Sequence, residues 1–221
     1  MELIQLFIRA YEYALGRGPE FLQAMGDHLT LAGSAIGIAA VLGIPLGLWT
    51  ARSRWVSSIV MNTINGLRVI PSLAVLFLMI PLLGLSTASA GVALTLLAIP
   101  PVLINTDAAF RNMDKAVLES ARGMGMSVAQ VLWRVEFPLA LPVILTGIRT
   151  ATVEVISSAT LAAFVGSGGL GIYITRGFAL YDFAILMVGA APVALISLLA
   201  ELGLASLQRA VQPGRFAFNH Q

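Results

Sequence analysis

The chain contains no cysteine, and only 11% of its 221 residues are charged. Without cysteine, a disulfide framework and thiol chemistry are both excluded. Soluble domains carry roughly 25% charged residues, so this composition is not that of a soluble domain. The net charge of +2 is small, and we attribute it to arginines in loops rather than to a nucleic-acid-binding surface. Charges also interrupt any signal-peptide core in the first 20 residues: Glu2, Arg9, Glu12, Arg17 and Glu20.

Hydrophobic residues make up 58% of the chain and occur in long runs. Several runs approach or exceed the roughly 20 residues that cross a bilayer as a helix. Strands of a membrane barrel would alternate polar and apolar residues, and these runs do not. We therefore predict an all-α integral membrane protein without internal repeats. Five spans are expected, at about 29–49, 57–85, 91–110, 139–165 and 183–207.

Basic residues predict which ends of the spans face the cytoplasm, because cytoplasmic loops are enriched in lysine and arginine. Inside segments would hold Arg52, Arg54, Arg111, Lys115, Arg122, Arg134, Arg209 and Arg215, whereas clear outside segments hold Arg9, Arg17 and Arg176. The N-terminus is thus predicted outside and the C-terminus in the cytoplasm.

Three parts are expected along the chain: an extracytoplasmic amphipathic segment at 1–27, a transmembrane domain at 28–208 and a cytoplasmic tail at 209–221. In the first part, apolar residues recur every four positions, which is typical of an amphipathic helix on a membrane surface: Leu3, Phe7, Tyr11 and Leu15. Frequent charges argue against a full span there.

Glycines and prolines predict where the spans pack or break. Pro71 should break the second span. Adjacent Pro100 and Pro101 should interrupt the backbone hydrogen-bond ladder of the third span, and that region should face protein because lipid cannot satisfy the freed backbone groups. Four glycines of the first span have a spacing that suits close helix packing: Gly33, Gly37, Gly43 and Gly47.

A polar strip runs along the second span, at the helical spacing of three to four residues: Asn62, Asn65, Arg68 and Ser72. One interpretation is a half-helix in the headgroup region, with Arg68 extending to water. The other is that Arg68, Pro71 and Ser72 line a translocation path beside the proline kink. The first is preferred for Asn62, and both stay open for Arg68.

Two charges, Arg149 and Glu154, fall inside the fourth span, where each costs about 2.5–3.5 kcal/mol on insertion scales. Such residues usually face a bundle interior or a water-filled path. They are five residues apart and point to different faces, so they are a poor pair within one helix. Glu154 is either a protonated, hydrogen-bonded packing residue or part of the path, where it would attract a cationic solute.

A glycine-rich segment after the fourth span matches G-x-G-x-x-G. The dinucleotide-binding interpretation requires a preceding strand within a βαβ unit, and here a membrane span precedes the motif. The segment also lacks the Lys-Ser/Thr ending of a P-loop. We predict instead a glycine hinge at the outer mouth of the path, formed by Gly166, Gly168, Gly169 and Gly171.

The interval 119–138, within a loop at 111–138, is the longest charged stretch between strongly apolar segments. It predicts two short helices joined at Gly125, where a helix can end in the left-handed conformation. Ser127 and Gln130 have the spacing of a capping box at the start of the second helix. That helix would carry an apolar stripe and end at a proline: Val128, Leu132, Val135 and Pro138. The pair either docks on a partner or lies as a connector on the lipid surface.

The order of residues in this interval resembles the EAA loop of the membrane subunits of bacterial ABC importers. That pattern is Glu-Ala-Ala, Gly, a β-branched residue and Leu-Pro, from which the chain departs at Ser120 and Phe137. The resemblance implies a type I ABC importer permease fold, with a coupling helix that docks in a groove of a separate ATPase. The coupling residues would be Glu119, Ser120, Ala121, Gly125, Val128, Leu132, Val135 and Pro138.

Further segments resemble the osmoprotectant permeases, the glycine betaine, carnitine and choline importers of bacteria. They are DHLT at 27–30, IPSLA at 70–74, EFPLALP at 136–142, GIRTA at 147–151 and AAFVGSGGLG at 162–171. The resemblance covers roughly residues 27–207. Arg149 matches an arginine of that family, whereas Arg68 and Glu154 stand where apolar or small polar residues are expected.

The resemblance implies a subunit of the bacterial inner membrane that is not itself an enzyme. Its expected partners are an external solute-binding protein, a second permease subunit and cytoplasmic ATPase subunits. ATP and Mg would be bound by the ATPase, and this chain would bind no cofactor or metal. No aromatic cage for a quaternary ammonium is visible, so selectivity is assigned to the binding protein.

Three alternatives remain. One is an ABC permease for another small solute, such as an amino acid. A second is a channel or transporter without an ATPase, in which the Gly125 loop is a passive connector. A membrane enzyme is the third, and it is disfavoured because Glu154 has no His, Cys or second carboxylate near it in sequence.

Overall fold

The computed structural model describes residues 3–212, a part of the chain in which every regular element is helical. The all-α prediction is confirmed. Glu2, Arg215 and the predicted tail beyond residue 212 lie outside the described residues. The helices are α1 (Leu3–Gly16), α2 (Gly18–Arg52), α3 (Arg54–Val69), α4 (Ser72–Leu83), α5 (Thr87–Arg111), α6 (Lys115–Gly123), α7 (Val128–Val131), α8 (Phe137–Ser158), α9 (Gly171–Ala179) and α10 (Phe183–Val211). A π-helical segment (Leu132–Glu136) joins α7 to α8, and a 3₁₀ segment (Ala159–Val165) follows α8.

The central element is α5, which packs against α2, α8 and α4. Pro100 and Pro101 in its middle are buried, so this region faces protein as expected, but the helix continues through both prolines without a break. At the contact with α2, a Cβ added at Gly47 would lie 2.6 Å from Thr106 Cβ. Close backbone approach of α2 to α5 therefore depends on glycine at this position.

The packing role predicted for the four glycines of the first span is only half correct. Gly43 and Gly47 contact α5, whereas a Cβ at Gly33 or Gly37 would meet nothing within 4 Å. The difference arises because α2 packs on α5 along one face only, and Gly33 and Gly37 lie on its exposed side.

Contacts between α2 and α5 show that these helices run in the same direction. A Cβ at Gly91 would lie 3.9 Å from Leu31 Cδ1, and Gly47 lies against Thr106. The chain between them must therefore return across the membrane. This return is made by α3 and α4, which are bent by 100° at their junction. The second span predicted at 57–85 is thus two helices separated at Pro71, and the count of five spans follows.

Two further boundaries differ from the sequence-based expectation. The first spanning helix, α2, begins at Gly18 with Pro19 in its first turn, so no break occurs at residue 27. The expected outer loop before residue 183 contains α9, which packs against α10. The amphipathic helix α1 also lies against α10, where Arg9 pairs with Asp182 at 3.3 Å.

Candidate coupling loop and membrane cavity

The turn after α6 has the geometry that glycine favours. Gly125 adopts φ +81°, its N–H donates to the Arg122 carbonyl at 2.9 Å, and the Met126 N–H donates to the Ala121 carbonyl at 3.3 Å. These two bonds form a Schellman motif, which satisfies the last carbonyls of the helix. The predicted glycine turn is confirmed. At the other end of α6, the Asp114 side chain accepts from the Ala116 N–H at 2.9 Å.

The capping box predicted at the second short helix is also confirmed. The Gln130 N–H donates to Ser127 Oγ at 3.3 Å, and the Ser127 N–H donates to Gln130 Oε1 at 2.8 Å. The end predicted for this helix at Pro138 is wrong, because the helical stretch continues from residue 128 to 165. A proline inside a helix clashes with the carbonyl four residues earlier. Here that carbonyl, of Arg134, lies in the wider π-helical segment 132–136.

The exposed surface of the loop differs from the predicted stripe. Val128 is 85% exposed and Met124 is 75% exposed at the tip of the turn, whereas Ala121 and Val131 are buried. Leu132 and Val135 are partly buried, and Glu119, Ser120 and Pro138 are exposed. The sequence did not indicate that Val131 is buried, because its burial depends on the angle between α6 and α7, which the spacing of residues within one helix does not reveal.

Two ionic clusters lie beneath the loop at the end of the bundle. Arg52 forms an ion pair with Glu136, which is buried. Arg111 binds Asp107 with nitrogen–oxygen distances of 2.6 and 3.0 Å. The same guanidinium donates to the Thr50 carbonyl at 2.7 Å and to Ser57 Oγ at 2.9 Å. These clusters join α2, α3 and α5 to the segment that follows the turn. Sequence reasoning missed them, although the i,i+4 spacing of Asp107 and Arg111 was an available signal.

The four residues assigned to a possible translocation path lie around one cavity of about 300 Å³. The bend between α3 and α4 supplies Arg68, Pro71 and Ser72, and α8 supplies Glu154. The opposite wall includes Pro100 and Pro101 of α5. Because these prolines are near the middle of α5, the cavity lies within the membrane. The sequence-based grouping therefore corresponds to residues that are close in space.

The other charge of the fourth span, Arg149, is paired on α10. Its Nε lies 3.1 Å from Glu201 Oε1, and its Nη1 donates to Gln208 Oε1 at 3.1 Å. Gln208 Nε2 donates in turn to Thr146 Oγ1 at 2.8 Å. This network explains how the membrane accommodates Arg149 and agrees with the prediction that Glu154 is a poor partner for it.

The glycine-rich segment packs closely against the first third of α2, at Asp27 and His28. Gly166 and Gly169 have φ values of +77° and +96°. A Cβ at Gly168 would lie 2.9 Å from Asp27 Oδ2, and one at Gly171 would clash with the Thr160 carbonyl.

His28, which sequence reasoning did not select as a site residue, anchors this region. It is buried, lies behind Gly169, and its Nε2 is 3.1 Å from the Ile156 carbonyl oxygen. No group of three His, Cys, Asp or Glu side chains that could hold a metal ion occurs between residues 3 and 212.

Comparison with known proteins identifies the family. Residues 43–216 match the family described as the inner membrane component of binding-protein-dependent transport systems. The glycine betaine/carnitine/choline transport system permease protein OpuCB of Bacillus subtilis (strain 168) is 38% identical over 196 residues, covering 89% of this chain and 90% of that protein. The osmoprotectant import permease protein OsmW of Salmonella typhimurium is 37% identical over 192 residues, covering 85% of this chain and 89% of that protein.

Solved structures show the same fold. The inward-facing MetNI methionine ABC transporter matches with a TM-score of 0.78 at 22% identity, covering 89% of this chain and 98% of that chain. An amino acid ABC transporter matches with a TM-score of 0.69 at 19% identity, covering 90% and 95% of the two chains. The fold is therefore that of a type I ABC importer permease. Together with the family match, this makes the chain a multi-pass inner membrane transport subunit and not an enzyme. It belongs to the family of binding-protein-dependent transport system inner membrane components.

Proposed function

We propose that this chain is the membrane subunit of an ATP-driven importer for a small osmoprotectant of the glycine betaine, carnitine or choline type. An external binding protein delivers the solute, and two permease subunits form the path. A cytoplasmic ATPase that holds ATP and Mg drives the switch between inward- and outward-facing states, which is a rigid-body transition.

The observation that carries this proposal is sequence identity to osmoprotectant permeases over nearly the whole chain. Relatives named for glycine betaine, carnitine, choline or osmoprotectant transport are 37–38% identical over most of their own length. The solved transporters named for methionine or amino acids are only 19–22% identical. The identity therefore favours an osmoprotectant over an amino acid as the solute.

The exposed turn supports an ATPase partner. Met124 and Val128 present apolar side chains to solvent at the tip of α6 and α7, and an apolar helix surface of this kind suits a groove on another protein. Gly125 sets the angle at which these residues are presented. The basic residues near the same end of the bundle, including Arg122 and Arg134, favour a cytoplasmic location for the turn, with the N-terminus outside.

The experiment that tests the proposal replaces the turn glycine. At φ +81° a β-branched residue is strained, so Gly125→Val should lower ATP-driven uptake of glycine betaine more than about tenfold, without loss of membrane insertion. Gly125→Asn should keep most of the uptake, because asparagine tolerates this conformation. Uptake and co-purification of the ATPase are measured together.

Gly123→Ala is the matched control, since Gly123 has no positive φ and a Cβ there meets nothing within 4 Å. Wild-type uptake in Gly125→Val would contradict the coupling role of the turn. A purified wild-type chain that transports without any ATPase would contradict the importer assignment itself.

A further inference from the structure

The membrane cavity contains charges of both signs. Arg68 contributes a guanidinium from the end of α3, and Glu154 contributes a carboxylate from α8. Charged side chains within a membrane span are costly and usually mark a substrate or ion pathway. Their presence in one cavity therefore requires an explanation.

The charged residues described above, within the bundle and at its end, are paired. Arg149 binds Glu201, Arg111 binds Asp107 and Arg52 binds Glu136. Within residues 3–212, in contrast, neither Arg68 nor Glu154 forms a hydrogen bond or an ion pair. The two face the same cavity without contacting each other, which leaves space between opposite charges for a ligand.

The backbone of α5 adds to the negative side of the cavity. Proline has no N–H, so Pro100 and Pro101 deprive the carbonyls of Leu96 and Leu97 of their usual helical donor. Both leucines line the cavity. Carbonyl oxygens without a donor favour a cation, as the Glu154 carboxylate does. Among the described residues, 3–212, the lining contains no aromatic side chain, so a cation here would be held by oxygen atoms rather than by an aromatic cage.

We propose that this cavity is a binding site for a zwitterion, with Arg68 binding the solute's carboxylate and Glu154 facing its ammonium group. Arginine suits a carboxylate because its guanidinium can donate two parallel hydrogen bonds. The volume of about 300 Å³ is at the lower end of ligand pockets. Under the proposed import function, on which this inference rests, the site selects a betaine over a cationic alcohol such as choline.

The absence of cysteine from the chain allows a direct test on the assembled transporter. Ser158 lines the cavity, and Ser158→Cys introduces a single thiol there with little change in size. Its rate of reaction with a small maleimide is measured in nanodiscs, without the binding protein. Glycine betaine at tens of millimolar should slow the reaction at least about threefold, whereas equal concentrations of choline or sodium chloride should not.

Protection of Ser158→Cys should disappear when Arg68→Gln or Glu154→Gln is added. It should persist with Arg54→Gln, the control, because this substitution also removes an arginine from α3 but lies outside the cavity. Ser58→Cys, also outside the cavity, should show no protection. Equal protection by choline, or no protection by glycine betaine, would overturn the zwitterion site.

These outcomes are separable from those of the import proposal. A transporter that imports glycine betaine without protecting Ser158→Cys would disprove the site alone. A wild type without ATP-driven uptake would disprove the function.

Discussion

At the scale of single residues, Gly47 illustrates how one missing side chain sets the distance between two helices. We expect Gly47→Ala to force α2 and α5 apart, because the new Cβ would lie 2.6 Å from Thr106 Cβ and 2.8 Å from the Leu103 carbonyl oxygen. Overpacking of this kind costs about 1–3 kcal/mol in the free energy of unfolding. Thermal unfolding of the purified protein in detergent measures the effect.

The control for Gly47→Ala is Gly37→Ala on the same helix. A Cβ at Gly37 meets nothing within 4 Å, and alanine is the better helix former. Its melting temperature should equal or exceed that of the wild type. An equal loss of stability in both variants would show that the close contact with α5 is not the cause.

At the scale of helices, the pairing of Arg52 with Glu136 joins α2 to the segment after the exposed turn. Its two partners are buried to different extents: the Glu136 side chain is 4% exposed and that of Arg52 is 47% exposed. Arg52→Ala would therefore leave a buried carboxylate without its partner, which costs roughly 1–3 kcal/mol or more. Glu136→Gln would leave an arginine that water can solvate.

We expect Arg52→Ala to lower the melting temperature clearly more than Glu136→Gln. The double variant should recover part of the loss, since it no longer buries an unpaired charge. Protease cleavage within 115–127 provides a second readout, because this loop precedes the segment that the pair fixes. Equal effects of the two single variants would contradict the proposed asymmetry.

The elements that sequence could predict are those whose interactions are local. The turn at Gly125 and the capping box of Ser127 and Gln130 depend on residues within five positions of one another, so their pattern is visible in the sequence. The continuation of the helix through Pro138 was not predictable, because the neighbouring π-helical segment accommodates the proline. The partner of Arg149, Glu201, was also out of reach, because it lies on another helix.

The group of residues around the cavity could be predicted from sequence only in part. Pro71, Ser72 and Arg68 were selected together because they are close in sequence, and Glu154 was added because a charge within a span is costly. The cavity that brings them together depends on the 100° bend between α3 and α4. A proline predicts a break at that position but does not predict its angle.

At the scale of the whole molecule, the structure predicts five crossings with the exposed turn on the opposite side from the glycine-rich segment. Single cysteines can test this in a chain that has none. Leu85→Cys and Leu180→Cys, at positions 67% and 62% exposed, should react with an impermeant maleimide added outside. Lys115→Cys should react only after permeabilisation.

The Leu85 position decides between two arrangements of α3 and α4. Labelling from the outside means that this pair crosses the membrane, as the parallel course of α2 and α5 requires. Labelling from the same side as Lys115→Cys would mean that the pair re-enters and leaves on one side. Reversal of all three results would contradict the orientation proposed from the basic residues.

The unbroken helical stretch from residue 128 to 165 has a mechanical consequence. Val128 beside the exposed turn and Glu154 in the cavity wall belong to this one helical stretch, so an axial displacement at one end is transmitted along it towards the other. Between residues 128 and 158, the π-helical segment 132–136 is the one part of this helical stretch that is wound more widely than an α-helix. A change of winding there would let the turn move while the cavity wall stays in place. Under the proposed import function, this five-residue segment would set how much of a movement at the turn is transmitted to the cavity.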